Sequence, residues 1–406
     1  MIKITKTFIT VLILFFSSYL FAKNTDLENY ISSVKKKQFE YDYQKNKVDS
    51  SFLGSSWIAP INLNYSYSKS NPTDRVQKNQ TAAIRINQPI FQSGGIFYGI
   101  KYANALKKYT DYSVDIAQRK MVKDVISLLM QIKQFDLRIQ RQELQIENSK
   151  INLEQKKEQY LNGQLDSGFL DTAIIERNFK IQSLYDMQTT KERLVSSFST
   201  LSELSYSDLK IPYLELLSQE EFLKHNLTVK MVNAKIDTDS YNKDMRIAKY
   251  LPRVSLIAGY NWNKTEAKTE DEKDYYDYGV QLNIPLNINT FRDIESAKIV
   301  HLKSKVLKED KIIQLNSIFE QVMQNISNLE KKQNLSIENI ELYSKLLKDT
   351  KKLFKAGYKT EYDVSTLENS LNISELDSKI YEIDKQLELL TLYEIYVNDG
   401  EKNEIQ

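Results

Sequence analysis

The sequence predicts a mainly α-helical chain with a small membrane-type β portion, built from a unit of two β-strands and a long coiled-coil helical hairpin that occurs twice. Three observations predict this. Landmarks recur at offsets of 192, 196 and 194 residues: Pro60 with Pro252, Pro89 with Pro285, and Gly163 with Gly357. Four short stretches alternate apolar and polar residues with period two, as a strand with one apolar face does. Two stretches, Gly95 to Tyr160 and Phe291 to Phe354, contain no Pro and, beyond Gly95 and Gly99, no Gly. A repeat this long is not a solenoid period; it is a duplicated structural unit.

The N-terminal residues 1–22 read as an export signal. Lys3 and Lys6 supply the positive end, Phe8 to Phe16 is an apolar run broken only by Thr10, and Ser17 to Ala22 is the exit, with cleavage expected after Ala22. The run is too short to span a bilayer, which takes about 20 apolar residues. No Cys follows it, so no lipid anchor is expected. Loss of Lys3 and Lys6 brings the formal charge of +2 to zero, and a neutral chain is a poor partner for nucleic acid, which demands a basic patch.

Composition excludes further classes. The chain has no Cys, which rules out disulfides, thiolate metal sites and a cysteine nucleophile. Its two histidines, His225 and His301, lie far apart and read as solvated helix residues. No pair of acids suggests a catalytic cleft, so no catalytic residue, metal site or cofactor is expected and the chain does not read as an enzyme. With 10 Gly and 6 Pro in 406 residues, long helices are favoured over loops.

The strands come first in each unit. Ile61, Leu63, Tyr65 and Tyr67 alternate with Asn62, Asn64, Ser66 and Ser68; Ala82, Ile84 and Ile86 alternate with Ala83, Arg85 and Asn87. In the second unit Val254, Leu256, Ala258, Tyr260 and Trp262 oppose Arg253, Ser255, Gly259 and Asn261, with Ile257 the exception. Tyr276, Tyr278, Val280, Leu282 and Ile284 oppose Asp277, Gly279, Gln281 and Asn283. A soluble sheet with one wet face would also alternate. The aromatics crowd toward the strand ends next to the turns, however, where an interfacial belt sits. The turns, Lys69 to Gln80 and Lys264 to Asp274, are polar or densely charged. Four strands cannot close a barrel, and open edges are not stable in lipid. The barrel must be shared between copies: two give about 8 strands, three about 12, and only the larger leaves room for passage. Arg85 and Arg253 on the polar face would then line the lumen.

The helices follow. Val125, Leu128, Ile132, Phe135, Ile139, Ile146, Leu153 and Tyr160 recur at 3-4 spacing, as do Ile312, Leu315, Phe319, Val322, Ile326, Leu329, Ile340, Tyr343, Leu347 and Phe354. That spacing means coiled-coil packing. Gln142, Ser149, Gln333 and Ser336 interrupt the seam and read as register-setting residues. Each helix ends at a glycine turn, Tyr160-Leu-Asn-Gly163 or Phe354-Lys-Ala-Gly357, and a second helix returns. The expected partition is signal 1–22, first repeat 23–204 with strands at about 61–68 and 81–88, link 205–220, second repeat 221–398 with strands at about 253–262 and 276–284, and tail 399–406. Barrel and tunnel each draw on both repeats.

This order resembles the outer-membrane factor family, the channel-tunnel proteins of tripartite efflux pumps and type I secretion in Gram-negative bacteria. The residues that carry the resemblance are Tyr250-Leu-Pro-Arg-Val-Ser-Leu256 entering the third strand, Gln88-Pro-Ile-Phe-Gln-Ser-Gly-Gly95 leaving the second, and the two tips, Gly163-Gln-Leu-Asp-Ser and Gly357-Tyr-Lys-Thr-Glu-Tyr-Asp363-Val. The resemblance implies a homotrimer with a 12-stranded outer-membrane β-barrel on a 12-helix periplasmic α-barrel, passing substrates out of the cell. It implies outer-membrane lipid, a periplasmic adaptor and an inner-membrane transporter as partners. Tyr160, Gly163, Phe354, Gly357 and Lys359 would meet the adaptor, and Asp363 would line the aperture. In the first tip the matching position is Phe169, with Asp171 two residues on. The competing reading is a periplasmic coiled-coil structural or adaptor protein with a soluble sheet.

Overall fold

The computed structural model describes residues 29–71, 76–266 and 270–396. The expected signal 1–22 and tail 399–406 lie outside them. Each repeat contributes a short helix, a β-hairpin, a very long helix and a return helix: α1 (Ser33–Ser55), β1 (Asn62–Ser70), β2 (Gln77–Phe91), α2 (Gly95–Leu161) and α3 (Ser167–Leu201), then α4 (Gln219–Lys224), α5 (Leu227–Lys249), β3 (Arg253–Glu266), β4 (Glu270–Asn283), α6 (Thr290–Lys355) and α7 (Glu361–Tyr393). The long helices α2 and α6, of 67 and 66 residues, each reach about 100 Å at 1.5 Å per residue.

The four strands form one antiparallel sheet in chain order, β1-β2-β3-β4. The helices repeat that order. Helix α2 packs on α1 and α3 on one side and on α5 and α7 on the other, and α6 packs beyond on α5 and α7. The return helices continue into the short helices of the strand end. The Ser32 N–H that opens α1 donates to the Leu201 carbonyl that closes α3 at 2.9 Å, and the Leu227 N–H of α5 donates to the Ile395 carbonyl after α7 at 2.8 Å. Each chain is therefore a four-strand, four-rod slice, with β1 and the α3/α1 rod at one edge and β4 and α6 at the other.

The strands run longer than their apolar alternation. The charged stretch expected as a turn, Lys264 to Asp274, is instead largely paired, with Lys264 opposite Glu272 and Asn263 opposite Lys273. Strands β1 and β2 likewise extend to Ser70 and from Gln77. Opposite charges on facing strands stabilise these extensions; the Lys78 ammonium meets the Glu266 carboxylate at 2.9 Å.

Of the expected apolar seam residues, Val125, Ile132, Ile146, Leu315, Phe319, Val322, Ile326 and Leu347 are buried, whereas Tyr160 and Phe354, at the tips where the helices end, are exposed. The polar interruptions find partners. Buried Gln142 donates to the Lys180 carbonyl of α3 at 2.8 Å, and Gln333 donates to Glu382 of α7 at 3.3 Å. The main core lies midway along the rods, where the linking segment crosses. Leu214, Leu217 and Phe222 pack with Ile126, Met130, Phe319 and Leu392, and the Leu214 amide donates to buried Gln386 at 2.7 Å. His225 departs from the solvated reading. It closes α4 and stands edge-on to Tyr396, with ring centroids 5.9 Å apart.

Candidate pore lining and hairpin tips

Strand pairing sorts the side chains into two faces. Leu63, Ile84, Tyr260 and Tyr276 stand opposite one another across all four strands, as do Tyr65, Ala82, Trp262 and Asp274 one step nearer the turns. This face is apolar and bare: Leu63 is 74% exposed, Tyr276 76% and Tyr278 82%. Its upper margin is aromatic, and the polar atoms point on toward the turns. The Tyr260 hydroxyl donates to Asp274 at 2.9 Å, the Trp262 indole to Glu272 at 2.9 Å and the Tyr65 hydroxyl to Gln80 at 3.3 Å. Amphipathic rings at an apolar edge, wet end outward, are how an interfacial belt is built.

The opposite face is polar. Arg85 donates to Asn261 at 3.0 Å, and Asn261 donates to Asp277 at 2.8 Å, a chain across three strands. Gly259 makes room for it, since a Cβ there would lie 2.9 Å from the Asp277 carboxylate. Sequence singled out Arg85 but not Asn261 or Asp277; strand register was the missing signal. Arg253 heads β3 opposite Asn283, on this same face.

At the far end of the rods the two tips are built alike. Gly163 (φ 70°) and Gly357 (φ 80°) take the left-handed conformation. The Gly163 amide donates to Tyr160 and the Gln164 amide to Gln159; the Gly357 amide donates to Phe354 and the Tyr358 amide to Leu353, all at 2.9 Å. This is the glycine-closed helix end in which the last carbonyls are satisfied by the turn. Tyr160, Leu161, Phe169, Phe354 and Tyr358 are all exposed around the tips.

Asp363 closes a reciprocal cap on α7. Its amide donates to the Thr360 hydroxyl at 3.2 Å, and its carboxylate accepts from the Thr360 amide and hydroxyl, each at 2.9 Å. Lys359 approaches the same carboxylate at 3.5 Å. The Thr360 amide, then its hydroxyl and the Lys359 charge, hold the Asp363 carboxyl below the usual range. Asp171 is exposed in the first turns of α3.

Sequence reasoning did not find the contacts between the two hairpins. Down the α2–α7 seam Gln134 donates to Asp384, Arg141 meets Asp377 at 2.7 Å, and Asn369 donates to Asn148 at 2.8 Å. Nearest the tips the Tyr362 hydroxyl meets Glu158 at 3.5 Å, and the Glu158 charge pushes that phenol upward. The α2 partners fall at 134, 141 and 148, one heptad apart, a spacing that marks a shared face once the neighbour is known.

Among the described residues no helix is long and apolar enough to cross a membrane, and no group of three His, Cys, Asp or Glu side chains could hold a metal ion.

Residues 219–395 match the family model described as outer membrane efflux protein. This stretch, under half of the chain, is similar to the outer membrane efflux protein family. The fold likeness extends over nearly the whole chain. The outer membrane protein VceC of Vibrio cholerae superposes with a TM-score of 0.71 at 13% identity, covering 92% of this chain and 96% of that one. The Campylobacter jejuni CmeC outer membrane channel gives 0.71 at 12% identity, covering 91% and 84%. The open state of the Neisseria gonorrhoeae MtrE outer membrane channel gives 0.64 at 10%, covering 91% and 87%. A search of curated proteins finds no match. Family and fold together support an efflux-type channel of the outer membrane, the setting for which the bare apolar strand face and its aromatic margin are suited.

Proposed function

We propose that three copies close edge to edge into one duct, a 12-stranded barrel in the outer membrane continuous with a 12-helix tunnel in the periplasm. The observation that carries this is the open sheet. Among the described residues β1 and β4 each leave one row of backbone groups unpaired, on a sheet whose apolar face fits lipid. In hydrocarbon those groups must find partners. β1 and β4 run in opposite directions, so β4 of one copy can pair antiparallel with β1 of the next and the ring closes on itself. The helical edges agree: α6 exposes Ile299, Leu302, Val306 and Ile313, while α1 and α3 expose Val48, Phe52, Phe179 and Tyr185. A soluble periplasmic sheet would leave Leu63, Tyr276, Tyr278, Val280 and Leu282 together in water.

The duct serves a tripartite efflux or type I secretion system. Its tips, with Tyr160, Gly163, Phe354, Gly357 and Lys359, receive the periplasmic adaptor, which couples them to an inner-membrane transporter. Asp363 and Asp171, repeated by symmetry, line the aperture, and Arg85 and Arg253 line the barrel lumen. Gating is a change between closed and splayed hairpins, biased by an adaptor that binds the splayed state more tightly. The chain holds no Cys, so paired cysteines test closure cleanly. Within one chain β1 and β4 are three strand spacings apart, about 14 Å, beyond disulfide reach. A scan of cysteine pairs between 64–68 and 275–281 should give a cross-linked ladder ending at three chains. Absence of any intermolecular product across the scan contradicts closure.

A further inference from the structure

Where the strands meet the helices lies an open-mouthed cavity of about 340 Å³, which shares only Arg253 with the proposed barrel lumen. Its floor is the first turns of α2, where Gly95 and Gly99 leave the helix surface low, and its walls are the ends of α1 and α5. The apolar lining is Leu53, Trp57, Ile96, Ile100, Met245 and Leu251. The polar lining is cationic: Arg246, Lys249 and Arg253, with no acidic side chain among the residues around it. Just outside, Asp293 at the start of α6 binds Arg246 at 2.5 Å and lies 3.9 Å from Lys249. One carboxylate against three cations leaves two positive charges at the cavity. Helix α2 adds to them, because its N-cap is Gly94, without a capping side chain, and its first turn carries no acid.

We propose that this cavity binds an amphiphilic anion, with a phosphate or similar doubly charged head on Lys249 and Arg253 and an apolar tail among Trp57, Ile96, Ile100 and Leu251. The chemistry follows from the lining. Lys249 and Arg253 are exposed side chains at the cavity mouth, a positive pair that attracts an anion, and a greasy floor beside them discriminates against bare inorganic ions. A phosphate head with an alkyl chain satisfies both halves; inorganic phosphate satisfies one. Such an amphiphile has two sources at this height, a phospholipid of the membrane or a solute in transit.

Trp57 is one of only two tryptophans in the chain, so a Trp262→Phe background makes it a local reporter. In the full chain reconstituted in nanodiscs of zwitterionic lipid, dodecyl phosphate should shift Trp57 emission saturably. Lys249→Gln with Arg253→Gln should weaken that binding by about tenfold or more, while inorganic phosphate and an uncharged dodecyl glycoside should not reproduce it. Both substitutions keep long polar side chains, and unchanged far-UV circular dichroism verifies that the fold survives. Equal response to the charged and uncharged amphiphile, or equal affinity in the double variant, overturns the proposal. Mass spectrometry of the purified protein separates the sources. Retained anionic phospholipid in wild type, depleted in the double variant, identifies a lipid site. A cavity empty on purification that still binds dodecyl phosphate identifies a solute site.

Discussion

The amide of Leu227 donates to the carbonyl of Ile395 at 2.8 Å, splicing the end of the last long helix to the start of the helix that feeds β3. Ser32 and Leu201 make the same splice in the first repeat at 2.9 Å. A free helix carboxyl end meets a free helix amino end, and groups that each helix leaves unpaired satisfy one another. Two rods of the slice are thus assembled from separate chain segments, and the linking segment packs its core beside the joints.

Asn226 anchors one joint. It is fully buried, caps α5 by accepting from the Thr228 and Val229 amides at 2.9 and 3.4 Å, and bridges to Tyr396. Asn226→Ala should lower stability by about 1–2 kcal/mol, and Asn226→Ser should recover most of that. Midpoints of denaturant unfolding measure both.

The tip glycines carry a conformational demand and no steric one. A Cβ on Gly163 or Gly357 would meet nothing within 4 Å, yet both have positive φ. Gly163→Ala and Gly357→Ala should each cost about 1 kcal/mol, with Asn in place of Gly costing less. Hydrogen exchange at the Gln164 and Tyr358 amides should accelerate in the Ala variants and little elsewhere.

Much of this was legible in the sequence, and the limits are physical. Period-two alternation located all four strands, and the glycine turns located both tips, because backbone geometry demands those residues locally. The strand ends past Lys264 escaped, because cross-strand charge pairing, as between Lys264 and Glu272, leaves no mark in a single strand. The Arg85–Asn261–Asp277 chain and the Tyr362–Glu158 contact escaped for the same reason. Arg85 and Asn261 lie 176 positions apart and Glu158 and Tyr362 lie 204 apart, and even the nearer Asn261–Asp277 link depends on register across two strands.

The junction below the sheet should respond to acid. The Tyr250 hydroxyl first, then Arg246 and Lys249, hold the Asp293 carboxyl below its ordinary value of 3.8. A depressed folded-state pKa contributes stability that is present above the unfolded value and is lost as pH falls through the folded one. Wild type should therefore lose stability below about pH 4. In Asp293→Asn the part of that loss due to this group should vanish. Unfolding midpoints between pH 2 and 6 give the comparison.

Asp363 separates two roles that one substitution would confuse. Asp363→Ala removes both the charge and the reciprocal cap, whereas Asp363→Asn removes the charge and keeps an acceptor for the Thr360 amide. If the proposed aperture ring is correct, both variants should lose block of conductance by multivalent cations to the same extent. The Ala variant should lose more thermal stability than the Asn variant. Full block in the Asn variant would leave Asp363 as a cap alone.

The most direct test of the account is the mass of the particle the mature chain forms in lipid nanodiscs, read together with its conductance in a planar bilayer. The account predicts three chains per particle and an ion-conducting pore. A single chain that stays in buffer without lipid or detergent, and conducts nothing, would contradict it.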